Sequence, residues 1–263
     1  MKIENRTFII SGGASGLGRA TTLDIVAKGG NVAILDLNET LAKEVIAAST
    51  SSSKVKFFET DVTNTDQIAA SVKSAAEWAV SSKAPLGGII AAAGVANPSL
   101  IYGRQGPLDL DGFKFVMDIN VTGTVDLVRN GLEYLTKVEP EGPDGERGII
   151  IMVASAAAYE GQSGQVAYSA SKGAVVSMTL PMARDLSRYG VRVMTLAPSM
   201  FDSPMTERMS AKVKESLTRS MEFPKRPGKP HEFSQVAIAC IESSMLNGEI
   251  IRLDGASRMP ARL

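Results

Sequence analysis

Strand-length apolar runs alternate with helix-length stretches through the whole chain, and few folds accept that pattern. The runs fall at residues 7–10, 31–35, 55–59, 88–92, 148–154, 192–197 and 249–253. Most are apolar almost without interruption, as strands covered on both faces are. Helical patterns fill the intervals at 17–28, 39–48, 65–81, 110–136, 165–188 and 231–243. Such alternation places the strands in a parallel sheet with helices on both faces. Right-handed crossovers then favour a Rossmann-type, doubly wound α/β sheet of about seven strands. At 263 residues the chain reads as one domain, 1–263. Two stretches break the regularity, 95–111 and 199–230. Both follow the carboxyl ends of strands, where ligands bind in such sheets, and both are expected to be substrate loops.

Composition removes several functional classes. Lys plus Arg equals Asp plus Glu, 28 against 28, and no basic stripe argues for nucleic acid. The single cysteine, Cys240, has no partner for an intrachain disulfide, which fits a reducing compartment. One histidine, His231, and one cysteine make a dedicated zinc site a poor fit, and no metal is expected. No apolar run has the roughly 18 to 20 residues of a membrane-spanning helix. The final residues Ala261, Arg262 and Leu263 follow the small–basic–Leu pattern of the C-terminal peroxisomal address, whose type case is S-K-L. A peroxisomal location is therefore expected, with a cytoplasmic or mitochondrial one otherwise.

The first apolar run leads into Ser11-Gly12-Gly13-Ala14-Ser15-Gly16-Leu17-Gly18, which opens the first helix. Glycines at 12, 16 and 18 allow a tight turn and close approach of backbone to a pyrophosphate, at the positive end of a helix. Asp36 closes the second strand. A carboxylate there accepts bonds from the adenosine ribose hydroxyls and repels the extra phosphate of NADP, so NAD is the expected cofactor. The lesser alternative for Asp36 is a loop or helix-capping aspartate. Asp61 and Val62 follow the third strand and are read either as adenine contacts or as the approach to a helix. Small residues at Ala91–Gly94 let a cofactor lie close to the backbone after the fourth strand. Asp24, Asp126 and Asp185 read as solvated helix positions.

Tyr168 and Lys172 lie four residues apart and share a helix face. Ser155 ends the fifth apolar run. A cation beside a phenol favours the phenolate, so Tyr168 is expected to have a lowered pKa and to serve as acid/base, with Ser155 as donor to a substrate oxygen. Each of the three alone would be an ordinary turn or surface residue. Asn120 sits within a helical pattern, where an amide can disrupt the regular hydrogen bonding or hold water.

These residues resemble the short-chain dehydrogenase/reductase family in its NAD-binding form, over nearly the whole chain. The family's Gly-rich loop falls on Gly12, Gly16 and Gly18, and its catalytic tetrad on Asn120, Ser155, Tyr168 and Lys172. A further similarity, in 153–164, 168–185, 192–198 and 246–259, is to its 3-hydroxyacyl-CoA dehydrogenase members. The resemblance implies cofactor contacts from Gly12, Ser15, Gly16, Leu17, Gly18, Asp36, Asp61, Val62, Ala92, Gly94, Tyr168, Lys172, Pro198, Phe201 and Ser203, and substrate contacts from Ser155 and Tyr168. It implies that Lys172 binds the nicotinamide ribose and that Asn120 positions a proton-relaying water. The implied reaction is NAD-dependent interconversion of a secondary alcohol and a ketone, with (S)-3-hydroxyacyl-CoA and 3-oxoacyl-CoA as the favoured pair, in a homotetramer. A steroid, simple alcohol or secondary-metabolite ketone is the runner-up substrate. Four positions depart from the family pattern: Ser11 for Thr, Ala91 for Asn, Ser199 for Gly and Ser203 for Thr.

Overall fold

The computed structural model describes residues 1–207 and 209–259. Arg208 and the tripeptide Ala261–Arg262–Leu263, on which the peroxisomal expectation falls, lie outside the described residues. The chain runs β1 (Thr7–Ser11), α1 (Gly16–Ala27), β2 (Asn31–Asp36), α2 (Glu39–Ala48), β3 (Val55–Glu59), α3 (Thr65–Ser81) and β4 (Leu86–Ala91). A two-residue hairpin follows, β5 (Tyr102–Gly103) and β6 (Gly106–Pro107). Then come α4 (Leu110–Met117), a π-helical turn (Asp118–Thr122), α5 (Gly123–Leu135), β7 (Gly148–Val153), α6 (Val166–Leu186) and β8 (Val191–Pro198). The chain continues through α7 (Pro204–Glu207), α8 (Ala211–Arg219), α9 (Pro230–Glu242) and β9 (Ile250–Leu253).

Seven strands form one parallel sheet in the order β3-β2-β1-β4-β7-β8-β9. The order reverses between β1 and β4, which opens a crevice beyond their carboxyl ends. Successive side chains of a strand point to opposite faces, so the continuous apolar runs supply two cores at once. Ile9, Ile89 and Ile150 pack on one face with Val72 of α3, Leu127 of α5 and Val175 of α6. Phe8, Ile10, Ile90 and Ile151 pack on the other with Ile25 of α1 and Phe233 of α9. Each such fully buried side chain contributes about 2 kcal/mol of apolar transfer. Among the described residues no helix is long and apolar enough to cross a membrane.

Three expectations about local structure are corrected. The helical pattern at 110–136 is not one helix: α4 and α5 are joined by the π turn that holds Asn120. The stretch 199–230 is not structureless, since α7 and α8 lie within it. Asp24 and Asp126 are not simple solvated positions. Asp24 accepts a bond from Ser234 of α9, and Asp126, 6% exposed, pairs with Arg129 at 2.5 Å and accepts from Asn130.

Candidate active site

The residues singled out by sequence converge on the carboxyl-end edge of the sheet: most follow a parallel strand directly, while Asn120 comes from the π turn and Tyr168 and Lys172 from α6. The Gly-rich loop leaves β1 and is shaped to receive a ligand. Gly12 has φ of +67°, and a Cβ there would stand 2.9 Å from the Ala93 backbone on the far side of the crevice. Gly16 has φ of +51°, and a Cβ there would meet the Ser203 side chain at 3.4 Å. The loop therefore lies between the segments following β4 and β8, with no room for a side chain at Gly12 and a left-handed backbone at Gly16. Ser15 precedes α1 in extended conformation, its side chain makes no capping bond, and the first turn of α1 carries no acid. The amides and positive end of this helix remain available to an anion.

Asp36, at the end of β2, braces the loop. One carboxylate oxygen accepts from the Ala14 amide at 3.1 Å and the other from the Asn38 amide at 3.1 Å. Capping of α2 falls to Asn38, which accepts from the Leu41 amide, so Asp36 is not the cap. Asp61 folds onto its own turn, accepting from the Thr63 amide and hydroxyl at 2.8 and 2.7 Å, while Asn64 caps α3. Val62 and Leu17 are half-buried and pack against opposite cores. Ala92 and Gly94 follow β4. The Ser11 hydroxyl accepts from the Ala93 amide at 3.3 Å, so it ties β1 to this segment where Ala91 has no polar side chain. Pro198 ends β8. The Phe201 ring turns inward onto Phe233 at 6.3 Å, which leaves its main chain rather than its ring for a ligand.

The tetrad residues meet beyond β4 and β7. A Cβ on Gly94 would stand 3.2 Å from Asn120 Oδ1 and 3.3 Å from Lys172 Nζ. The Tyr168 hydroxyl is hydrogen-bonded to Ser155. Ser155 Oγ also accepts from the Ala157 amide at 3.2 Å, which fixes it at the start of a short 3₁₀ turn. Lys172, 5% exposed, donates to the Val153 carbonyl at 2.7 Å. Its ammonium lies over the Tyr168 ring, 5.8 Å from the centroid. Burial pulls the Lys172 pKa down to about 8.

The expected lowering of the Tyr168 pKa is corrected here. Burial raises the Tyr168 pKa above its ordinary value, and the hydrogen bond to Ser155 only partly opposes this. Helical spacing put the ammonium on the right face but could not show that it would bind a carbonyl and lie over the ring. The Asn120 side chain is held by protein partners. Its oxygen accepts from the Val95 amide at 2.8 Å, and its Nδ2 donates to the Val95 carbonyl at 3.0 Å and to Ser171 Oγ at 2.9 Å. Ser171 Oγ in turn donates to the Tyr168 carbonyl at 2.8 Å. Val95 and Ser171 were not singled out by sequence; a small polar residue on a buried helix face beside Lys172 was the only available sign of the second.

The short chain dehydrogenase family profile matches residues 6–214. The chain is 40% identical over 257 residues to 3-hydroxyacyl-CoA dehydrogenase type-2 of Drosophila melanogaster, covering 98% of this chain and 99% of that one. It is 41% identical over 260 residues to 3-hydroxyacyl-CoA dehydrogenase type-2 of Homo sapiens, covering 95% and 94%. Among solved structures, 3-hydroxyacyl-CoA dehydrogenase type-2 from Mycobacterium avium superposes with a TM-score of 0.89 at 35% identity, covering 98% of this chain and 97% of that one.

Proposed function

The chain belongs to the short-chain dehydrogenase family and is an oxidoreductase, and on that premise we propose that it oxidises (S)-3-hydroxyacyl-CoA to 3-oxoacyl-CoA with NAD, reversibly. The observation that carries this reading is the Ser155–Tyr168–Lys172 cluster beside a Gly-rich loop at an uncapped helix end. The similarity to 3-hydroxyacyl-CoA dehydrogenases over almost the full chain supports the substrate class.

The residues present fit a nicotinamide dinucleotide. Gly12, Ser15, Gly16, Leu17 and Gly18 would hold its pyrophosphate, Asp36 its adenosine ribose, and the segments at Ala92–Gly94 and Pro198–Ser203 its nicotinamide end. When bound, the cofactor supplies the hydride acceptor. Ser155 donates a hydrogen bond to the substrate oxygen. Tyr168 takes the hydroxyl proton in oxidation and returns it in reduction. Lys172 adds a positive charge near the oxygen where negative charge develops. Asn120 acts as a clasp that holds Val95 against α6, which keeps the floor of the site in register.

A homotetramer and a peroxisomal location belong to the same reading. Leu180, 44% exposed, and Met245, 92% exposed, leave apolar surface for a second copy, and light scattering would show whether one binds. A reporter carrying the last ten residues should collect in peroxisomes; a diffuse signal would remove that part of the proposal.

The test of the reaction is NADH formation across 3-hydroxyacyl-CoAs, steroids and simple secondary alcohols, each also run with NADP. The proposal predicts the highest kcat/KM for a 3-hydroxyacyl-CoA with NAD. A steroid or simple alcohol turned over while every acyl-CoA stays inert would overturn the substrate assignment.

A further inference from the structure

Arg252, near the end of β9, is the centre of a knot that joins the two sides of the active-site cleft. Its Nη1 pairs with Glu160 at 2.9 Å and its Nε with Asp254 at 2.6 Å. Its guanidinium also lies over the Tyr159 ring, 5.0 Å from the centroid. Glu160 terminates the turn that begins at Ser155: the Glu160 amide donates to the Ala156 carbonyl, and the Ala158 amide to the Ser155 carbonyl. The other Glu160 oxygen accepts from the Met259 amide at 3.1 Å. Glu160 thus ties the segment carrying Ser155 to the chain after β9.

That same segment grips the far wall of the cleft. Ser257 is fully buried and shares a hydrogen bond of 2.8 Å with Ser220 at the end of α8. The Gly255 carbonyl accepts from the amides of Glu222 and Phe223 at 2.9 and 3.2 Å. Met259 packs against the small apolar cluster of Met200, Leu217 and Met221. This cluster is separate from both sheet cores and is the main apolar anchor of α8. Methionines fill such a site adaptably. Residues 252–259 therefore form a strap with the Ser155 turn on one side and the 199–230 segment on the other.

We propose that Arg252 and Glu160 are positioning residues: through this strap they couple the placement of the substrate segment 199–230 to the placement of Ser155. Neither touches the Gly-rich loop or the Tyr168–Lys172 pair in the contacts above. Their loss should weaken productive substrate binding and leave cofactor binding intact. The inference rests on the oxidoreductase reading but not on the acyl group, so it is measured with whichever secondary alcohol gives the largest NADH signal.

The experiment compares Glu160→Gln, Arg252→Gln and Ser257→Ala. Each single variant at 160 or 252 should raise KM about five-fold or more with kcat less affected, and leave the NAD dissociation constant within about two-fold. Trypsin should cut the 199–230 segment faster than in the parent protein. Ser257→Ala leaves the ion network in place and cuts its other attachment, so it should raise KM in the same direction and carries the test if the ionic variants do not fold. Unchanged KM and unchanged tryptic cleavage, or NAD affinity falling in step with substrate affinity, would overturn the proposal. An inactive parent protein on every acyl-CoA would instead count against the substrate class alone.

Discussion

Asn120 and Val95 clasp one another: the side-chain amide of the first accepts from the N–H and donates to the C=O of the second, at 2.8 and 3.0 Å. The clasp has the geometry of a strand pairing made by a side chain. It bonds the segment after β4 to the π turn, and through Ser171 to α6. Asn120→Ala leaves the Val95 groups and Ser171 without these partners inside a buried site. A loss of roughly 2–4 kcal/mol is expected from the urea midpoint, together with a fall in kcat that Asn120→Asp does not rescue, since a carboxylate cannot donate to the Val95 carbonyl.

How much of this was legible in the sequence differs by level. The sheet was legible because runs such as 148–154 are apolar on both strand faces, as strands of a parallel sheet under two helical layers are. The cleft was legible because the Gly-rich loop, Asp36, Asp61, Ala91–Gly94 and Ser155 each followed such a run. What periodicity could not supply was direction. Lys172 is four residues from Tyr168 by count, yet its last four bonds carry the ammonium to Val153. Asn120 was visible as a disruption, but its partners lie 25 and 51 positions away. The α8 helix was missed because its nine residues, AKVKESLTR, bury only Leu217 and so carry little apolar pattern.

The Gly12 position permits a sharp steric test. Gly12→Ala would put a methyl group 2.9 Å from the Ala93 backbone at a φ of +67°. Destabilisation of about 1–3 kcal/mol is expected from the backbone conformation alone. Movement of Ala93 to relieve the contact would narrow the crevice, so fluorescence titration should show weaker NAD binding.

Asp36 both braces the loop and sets the charge at the ribose position. Asp36→Ser removes the carboxylate that accepts from Ala14 and Asn38. Stability should fall by about 1 kcal/mol for the lost bonds. Steady-state kinetics should show the NAD-over-NADP preference reduced about 10- to 100-fold, because a repulsive contact has been removed. An unchanged preference would mean that another residue reads the ribose.

Lys172 makes stability depend on pH. Its pKa falls from the ordinary 10.5 to about 8 on folding. Between those values the unfolded chain binds more protons than the folded one, so stability rises with pH across that window. Below about pH 8 the buried charge is retained at full cost. Lys172→Met should lack this rise. The cofactor-free proteins, compared by urea denaturation between pH 7.5 and 10.5, should differ in slope, with the parent gaining up to about 3 kcal/mol relative to the variant. The raised Tyr168 pKa acts in the same direction on oxidation, since the phenol must be deprotonated to take a proton. The oxidation rate should climb with pH.

The central claim is that Tyr168, hydrogen-bonded to Ser155, moves the proton while separate groups hold the cofactor. Tyr168→Phe removes one oxygen and keeps the ring beneath the Lys172 ammonium. NADH formation and NAD binding measured on the same preparation decide the matter. The predicted result is a loss of kcat of about a thousand-fold or more, with the NAD dissociation constant changed less than about three-fold. Turnover within about ten-fold of the parent would contradict the assignment, because another group would then be moving the proton.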